Sequence, residues 1–185
     1  QLADKILDLP RDKLRVHAMD VGGGFGLKNF VYPEWVALLW AAKKHAKPLC
    51  WVASRSEEMQ AAAHGRGLHG KVEFALDEQG KFLGLRAEAV ANMGAYLSGG
   101  GPNVSTRAMP TALGGVYQIP AVHLNVRGVF TNTVPLDAYR GAGKPEANYL
   151  LERAIDRAAK ELGIDPLTIR QKNIIDSMPY TSVTG

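Results

Sequence analysis

Residues 68–91, with the sequence LHGKVEFALDEQGKFLGLRAEAVA, contain the pattern that decides the fold. Polar and apolar side chains alternate over 68–76 and again over 82–91, which is typical of strands that bury one face. Between them, Asp77–Gly80 has the acidic residue and the glycine that favour a tight turn. The stretch therefore predicts a β-hairpin.

Helix and strand signals surround this hairpin. A helix is predicted from Pro33 to Ala46, because proline suits the first helical position and apolar residues recur at helical spacing. Pro145 opens a second long helix with an apolar stripe, which Gly163 is suited to end. The remaining predicted elements are short helices at 2–9, 54–63 and 165–173, and strands at 14–21, 49–53 and 122–131. We therefore predict an α+β fold, with a mixed β-sheet, a β-hairpin and two main helices packed on the sheet.

The length of 185 residues suits a single domain, 1–185, with residues 1–13 as a leading helix and turn. Because the chain begins at Gln1 without an initiator methionine, we expect an excised fragment of a larger protein. Glycines are concentrated at 22–26 and in the segment 94–110, and both clusters predict loops.

The composition excludes several classes of protein. Apolar residues make up 46% and charged residues 22%, which is ordinary for a globular chain and unlike a disordered one. The net charge of +4 is spread along the chain, so we expect no nucleic-acid binding. The sequence contains neither an apolar run of membrane-spanning length nor a signal peptide. The single cysteine, Cys50, predicts a cytoplasmic protein with no internal disulfide, and its apolar neighbours predict a buried strand thiol.

The glycine-rich loop Gly22–Gly26 separates the predicted strand at 14–21 from the first long helix. Backbone amides without obstructing side chains are able to hold an anion or to admit a large cofactor. The glycine spacing matches neither the dinucleotide-binding fingerprint nor the phosphate-binding loop of NTPases. A tight turn between strand and helix is the alternative interpretation.

A second loop, TNTVPLDAYRGAGKPEA at residues 131–147, leads into the second long helix. Arg140 lies among glycines at the helix entrance, where its guanidinium and nearby amides are suited to bind a phosphate or oxo group. The alternative interpretation is an ion pair between Arg140 and Asp137 or Glu146.

Several motifs together resemble the large subunits of molybdenum hydroxylases. They are GGGFGLK at 22–28, YQIPA at 117–121, the loop at 131–147, Glu152-Arg153, and ELGIDP at 161–166. This family includes xanthine dehydrogenases, aldehyde oxidases, aerobic carbon monoxide dehydrogenases and bacterial N-heterocycle hydroxylases. Each motif is modest alone, but their common order over roughly residues 14–175 makes chance agreement very small.

The resemblance implies that this chain is the first of two related domains that hold a molybdopterin cofactor between them. No metal ligand is expected from this stretch, because the pterin dithiolene holds the molybdenum. The cofactor-binding residues that the resemblance implies are Gly24, Phe25, Gly26, Ala138, Tyr139, Arg140 and Gly141.

Three positions depart from particular branches of the family. The carbon monoxide branch has a copper-binding cysteine after the Ala-Tyr-Arg motif, whereas this chain has Gly141, which disfavours copper-dependent oxidation of carbon monoxide. The purine branch has an acidic residue in the first loop and a bulky aromatic residue in the second. This chain has Asn29 and Ala142 there, which disfavour purine oxidation. We expect both residues in the substrate pocket, with an aldehyde or an N-heterocycle as the small-molecule substrate.

The resemblance also places catalysis and electron transfer outside this chain. The catalytic glutamate of the family comes far beyond Gly185, so we expect no catalytic residue here, and Glu146 is expected to cap its helix. The implied function is one half of the cofactor site of an oxidoreductase, the fragment alone being inactive. Expected partners are the remaining molybdopterin-binding domain of the same chain, and iron–sulfur and FAD-containing domains or subunits. The alternative is a degenerate, non-catalytic homologue that serves as an assembly or scaffold domain.

Overall fold

The structure is a computed structural model that describes residues 2–184, and its contacts divide the chain into two compact units after Ala62. The expectation of a single domain over 1–185 stays a prediction, and the two units are described separately.

The first unit contains the predicted helices in their predicted places. Helix α1 (Pro33–His45) begins with its proline in the first turn and ends at Ala46 in the left-handed conformation. Helix α2 (Arg55–Ala61) has a reciprocal cap, because the Ser54 hydroxyl accepts from the Glu57 amide while the Glu57 carboxylate accepts from the Ser54 amide. The leading segment Leu2–Leu7 is helical, of the π type. Short 3-10 turns at Arg11–Lys13 and Leu27–Asn29 complete the unit.

The predicted strands at 14–21 and 49–53 are wrong. Neither segment pairs with another strand among residues 2–184, and Val16 and Val52 are 84% and 82% exposed. Alternating or apolar residues indicate which face a strand would bury, but the strand exists only if a neighbour satisfies its backbone groups. The prediction of a buried thiol fails with it, since Cys50 is exposed.

The second unit is built on the predicted mixed sheet. Strands β1 (Leu68–Leu76) and β2 (Phe82–Gly94) form the antiparallel hairpin, and β3 (Val122–Phe130) pairs parallel to β2, in the order β1-β2-β3. The Asp77 carboxylate fixes the hairpin turn by accepting from the amides of Gln79 and Lys81. The α+β prediction is confirmed.

Helices surround this sheet. Helix α3 (Gly101–Asn103) continues into a π-helical segment, Val104–Ala108, and a 3-10 turn, Pro110–Ala112. Later in the chain come α4 (Lys144–Leu162) and α5 (Pro166–Asn173), both close to their predicted bounds. The prediction of a loop throughout 94–110 is wrong from Gly101 onward. The reason is tertiary burial, because Val104 and Met109 of this segment are buried, and this outweighs the low helix propensity of Gly101.

The core lies between the sheet, α4 and the helical segment that follows α3. Helix α4 packs so closely on β1 that a Cβ atom at Gly70 would come within 2.7 Å of the Leu150 side chain. The largest fully buried apolar side chains are Phe82, Met109, Leu113, Ile119, Leu151, Ile155 and Ile169.

Two polar groups tie the core to α5. The fully buried Asn173 side chain accepts from the Phe82 amide and donates to the carbonyls of Gly80 and Ile169, each at 2.8 Å. The Tyr117 hydroxyl donates to Glu152, which also pairs with Arg170 of α5. Burial, and then the bond to Glu152, raise the pKa of Tyr117.

Within the described residues, no helix combines the length and the apolar character needed to cross a membrane.

Candidate functional site

The first glycine-rich loop belongs to the first unit and exposes its backbone. A Cβ atom at Gly22 would meet no described atom within 4 Å, and one at Gly24 would meet only the Lys28 side chain, at 3.7 Å. Phe25 and Gly26 both have positive φ, of 48° and 103°, and the turn is closed by a bond from the Leu27 amide to the Gly24 carbonyl. A ligand can therefore approach this backbone closely, as the sequence predicts for a cofactor loop.

Phe25 adopts a conformation that is uncommon for a residue with a side chain. Its ring is 56% exposed and covers Gly23, where an added Cβ atom would come within 2.3 Å of the ring. The loop thus presents a large aromatic surface beside open backbone. Asn29, the predicted substrate-pocket residue, lies exposed in the 3-10 turn that follows.

The second loop belongs to the second unit and turns sharply into α4. Three consecutive residues, Gly141, Ala142 and Gly143, have positive φ of 95°, 39° and 85°. The amide of Ala142 bonds to the carbonyl of Tyr139 at 2.7 Å, and that of Lys144 bonds to Gly141 at 3.2 Å. Such a tight turn brings the preceding residues close to the N-terminus of a long helix, where the helix dipole favours an anion.

Asp137 fixes the base of this loop. Its carboxylate is 2% exposed and accepts hydrogen bonds from the amides of Gly100 (3.0 Å) and Ala138 (2.6 Å) and from the Ser98 hydroxyl. Its own amide donates to the His64 carbonyl at 2.9 Å. The Asp137 carboxylate is therefore engaged by backbone and hydroxyl donors.

Sequence reasoning missed Arg66, which lies far upstream of the loop in the chain. Its guanidinium donates to the backbone carbonyls of Tyr139 and Arg140, and lies 5.2 Å from the centre of the Tyr139 ring. It also pairs with Glu146 at 3.4 Å. The expectation that Glu146 only caps its helix is thus incomplete, because the carboxylate, 8% exposed, is an ion-pair partner of Arg66. No local pattern around Arg66 signals these contacts.

The residues that the resemblance assigns to the cofactor fall into two groups. Gly24, Phe25 and Gly26 are together on the first loop, and residues 138–141 are together on the second, where Tyr139 and Arg140 are exposed. Because the two loops belong to different units, their proximity stays a prediction. Among the described residues, no cluster of three or more His, Cys, Asp or Glu side chains is arranged to hold a metal ion.

Each loop has donor groups that fit an anionic ligand. The first offers the backbone of Gly22 and Gly24, where an added Cβ atom would meet nothing or only the Lys28 side chain, and the second offers the exposed Arg140 shortly before the N-terminus of α4. Neither loop offers a thiolate or an imidazole. The donor groups of each loop, taken separately, are suited to a cofactor that brings its own metal ligands.

Comparison with known proteins supports the same interpretation. Residues 1–174 match the molybdopterin cofactor-binding domain family. The chain is 36% identical over 179 residues to the 6-hydroxypseudooxynicotine dehydrogenase complex subunit gamma of Paenarthrobacter nicotinovorans. It is 38% identical over 181 residues to the carbon monoxide dehydrogenase large chain of Hydrogenophaga pseudoflava. Each alignment covers 96% of this chain and 22% of the relative.

A solved structure shows the same likeness in three dimensions. The quinoline 2-oxidoreductase of Pseudomonas putida 86 superposes on 90% of this chain with a TM-score of 0.83 and 33% identity, and the match covers 22% of that protein. The chain thus spans about a fifth of the length of the proteins it matches. On its sequence and its fold alike, the chain belongs to the molybdopterin cofactor-binding domain family of the molybdenum hydroxylases.

Proposed function

We propose that this chain supplies one half of the cofactor site of a longer molybdenum hydroxylase that oxidises a carbon atom of an aldehyde or an N-heterocycle. The observation that carries the proposal is the second loop. Its tight left-handed turn at residues 141–143 brings Tyr139 and Arg140, both exposed, close to the N-terminus of α4. A scaffold domain has no need of such a turn.

The residues of the chain bind and orient the cofactor in this proposal. The Arg140 guanidinium and the α4 N-terminus attract an anionic group, Tyr139 covers an adjacent surface, and the Gly24–Gly26 backbone approaches from the first loop. When bound, the cofactor supplies the oxidative chemistry at its molybdenum. The division is typical of cofactor enzymes, in which the protein contributes position and electrostatics.

The loop residues and the relatives support this substrate class. Gly141 provides no thiolate for copper, which argues against oxidation of carbon monoxide despite the 38% identity to a carbon monoxide dehydrogenase. Asn29 and Ala142 would leave the pocket without a carboxylate and without a large ring at those two positions. Quinoline, after which the similar quinoline 2-oxidoreductase is named, is an N-heterocycle, and this supports the same substrate class here.

The remaining machinery belongs to the rest of the protein. We propose that the second molybdopterin-binding domain and the catalytic glutamate lie elsewhere in the same polypeptide. Iron–sulfur clusters and FAD would be carried by other domains or subunits. The single chain 1–185 would then hold no molybdenum when purified alone.

The test is to purify the full-length protein with its partner subunits and to measure molybdenum, pterin and copper. Turnover is then measured with quinoline, nicotinate, benzaldehyde, xanthine and carbon monoxide. We expect molybdenum and pterin near one per chain, no copper, and turnover confined to an aldehyde or a heterocycle other than xanthine. Protein free of molybdenum would favour the scaffold alternative, and copper-dependent oxidation of carbon monoxide would contradict the substrate assignment.

A further inference from the structure

We propose that Arg66 is a positioning residue that holds residues 138–143, here called the cofactor loop, in the shape that binds the cofactor. This inference rests on the function proposed above. It concerns a residue outside every motif by which the sequence resembles the family.

The contacts of Arg66 converge on the cofactor loop. One guanidinium nitrogen donates to the carbonyl of Arg140, and the other donates to the carbonyl of Tyr139 at 3.5 Å and to both carboxylate oxygens of Glu146 at 3.4 Å. The cation also lies over the Tyr139 ring. A Cβ atom added at Gly141 would lie 4.0 Å from the guanidinium, so this side chain reaches to the left-handed turn itself.

These contacts orient two peptide groups. In a trans peptide the carbonyl of one residue and the amide of the next point in opposite directions. Because Arg66 draws the carbonyls of Tyr139 and Arg140 toward itself, the amides of Arg140 and Gly141 point to the opposite side of the loop. Arg66 thus decides which side of the cofactor loop carries amide donors and which carries carbonyl oxygens.

The ion pair with Glu146 makes this orientation compatible with anion binding. Glu146 is in the first turn of α4 and is buried, and it balances the charge of Arg66. Arg140, which is exposed, is a second cation in this region. Arg66 itself has a positive φ of 69°, a backbone conformation that costs free energy for a residue with a side chain. Such strain is typical of residues with a functional role.

Lysine at position 66 separates the positioning role from a structural one. An ammonium group can pair with Glu146 and so keep the buried carboxylate compensated, but it lacks the planar fork that reaches two carbonyls and a carboxylate together. Arg66→Lys should therefore preserve most of the thermal stability and still disturb the cofactor loop.

The matched control is Arg170→Lys. Arg170 is similarly half-buried, pairs with Glu152 and Asp156 of α4, and also donates to the backbone carbonyl of Pro166 at the start of α5. The same substitution there removes a guanidinium from a comparable network without touching the cofactor loop.

The experiment uses the full-length holoenzyme and its Arg66→Lys, Arg66→Ala and Arg170→Lys variants. We expect Arg66→Lys to release molybdopterin about tenfold faster than the wild type and to melt at nearly the same temperature. Arg66→Ala should show both faster release and a lower melting temperature. Arg170→Lys should retain the cofactor as the wild type does. Equal cofactor retention in Arg66→Lys and the wild type would overturn the proposal.

A second measurement decides the inference even if the wild type proves to hold no molybdenum. Hydrogen exchange is followed at the amides of Ala142 and Lys144, which are bonded within the cofactor loop. In cofactor-free protein, Arg66→Lys should speed exchange at these amides several-fold, and Arg170→Lys should leave it unchanged. A wild-type protein without molybdenum would contradict the proposed function but not the positioning role of Arg66. Unchanged amide exchange in Arg66→Lys would contradict the positioning role.

Discussion

Gly143→Ala should destabilise the chain far more than the matched change Gly163→Ala. Both glycines flank α4 with positive φ, of 85° and 65°, so both substitutions force an L residue into the left-handed region. Their surroundings differ. A Cβ atom at Gly163 would meet no described atom within 4 Å, whereas one at Gly143 would lie 2.3 Å from the Val104 carbonyl oxygen and 2.7 Å from the Met109 amide nitrogen.

The magnitudes follow from this difference. The left-handed conformation costs an L residue about 1–2 kcal/mol. Alanine also lowers the conformational entropy of the unfolded chain, and this offsets about 0.4–1 kcal/mol of that cost. Gly163→Ala should therefore cost about 0–1.5 kcal/mol of unfolding free energy. At Gly143 the methyl group would enter beside the hydrogen bond from the Met109 amide to the Val104 carbonyl. Displacing that backbone adds about 1–3 kcal/mol, for a total of about 1–4.5 kcal/mol.

The assay is urea unfolding of the 185-residue chain, followed by far-ultraviolet circular dichroism. All three tryptophans, Trp35, Trp40 and Trp51, belong to the first unit, so their fluorescence follows the unfolding of that unit separately. The transition midpoint of Gly143→Ala should fall clearly below that of Gly163→Ala. Equal losses in the two variants would show that backbone conformation alone sets the cost, and would refute the argument from close packing.

Three further substitutions test the core, a helix cap and the cofactor loop. Asn173→Ala removes three buried hydrogen bonds and should lower the unfolding free energy by about 2–4 kcal/mol. The control is Asn148→Ala at an exposed position, which should change the unfolding free energy by less than about 1 kcal/mol. Similar urea midpoints for the two variants would contradict this prediction. The Ser54 amide, and then its hydroxyl, lower the pKa of Glu57, so the capping box stabilises α2 above the ordinary carboxyl pKa, and this contribution is lost as the pH falls through the lower folded value. Ser54→Ala should raise the pKa of Glu57 in an NMR titration, and an unchanged value would mean that the cap does not form in solution. Arg140→Ala in the full-length enzyme should lower molybdenum content and turnover about tenfold or more, with a stability change below about 1 kcal/mol; normal metal content and turnover would leave Arg140 a structural ion-pair partner.

The parts of the fold that were predicted correctly are those with local signals. The Asp77–Gly80 turn, the Ser54 cap and the prolines that open α1, α4 and α5 act within a few residues of where they lie in the chain. Such signals are readable in one sequence because their physical partners are neighbours.

The errors concern elements whose partners are distant. Val16 and Val52 suggested strands, but pairing requires a second strand that a hydrophobic pattern does not identify. Residues 101–112 are helical although they contain Gly101, Pro102 and Pro110, because the burial of Met109 in the core decides their conformation.

The residues of the candidate site also differ in whether their partners are near or distant in the sequence. Arg140 and the glycines around it were predicted as cofactor-binding residues because they are adjacent in the sequence and match a family motif. Arg66 was missed because its contacts to the Tyr139 and Arg140 carbonyls depend on the path of the intervening chain. A long-range hydrogen bond to backbone leaves no pattern of residue types to recognise.

The parallel pairing of β2 with β3 also has a consequence for the order in which a newly synthesised chain folds. The β1–β2 hairpin closes through a short turn and can form early, but β3 joins only after residues 95–121 have carried the chain back across the sheet. Until residues 122–130 arrive, the outer edge of β2 has unpaired backbone beside the alternating apolar side chains Leu85, Ala87 and Ala89. An unpaired edge of this kind is a template for association with other chains. Nascent or truncated chains that end before Val122 are therefore the species most exposed to aggregation.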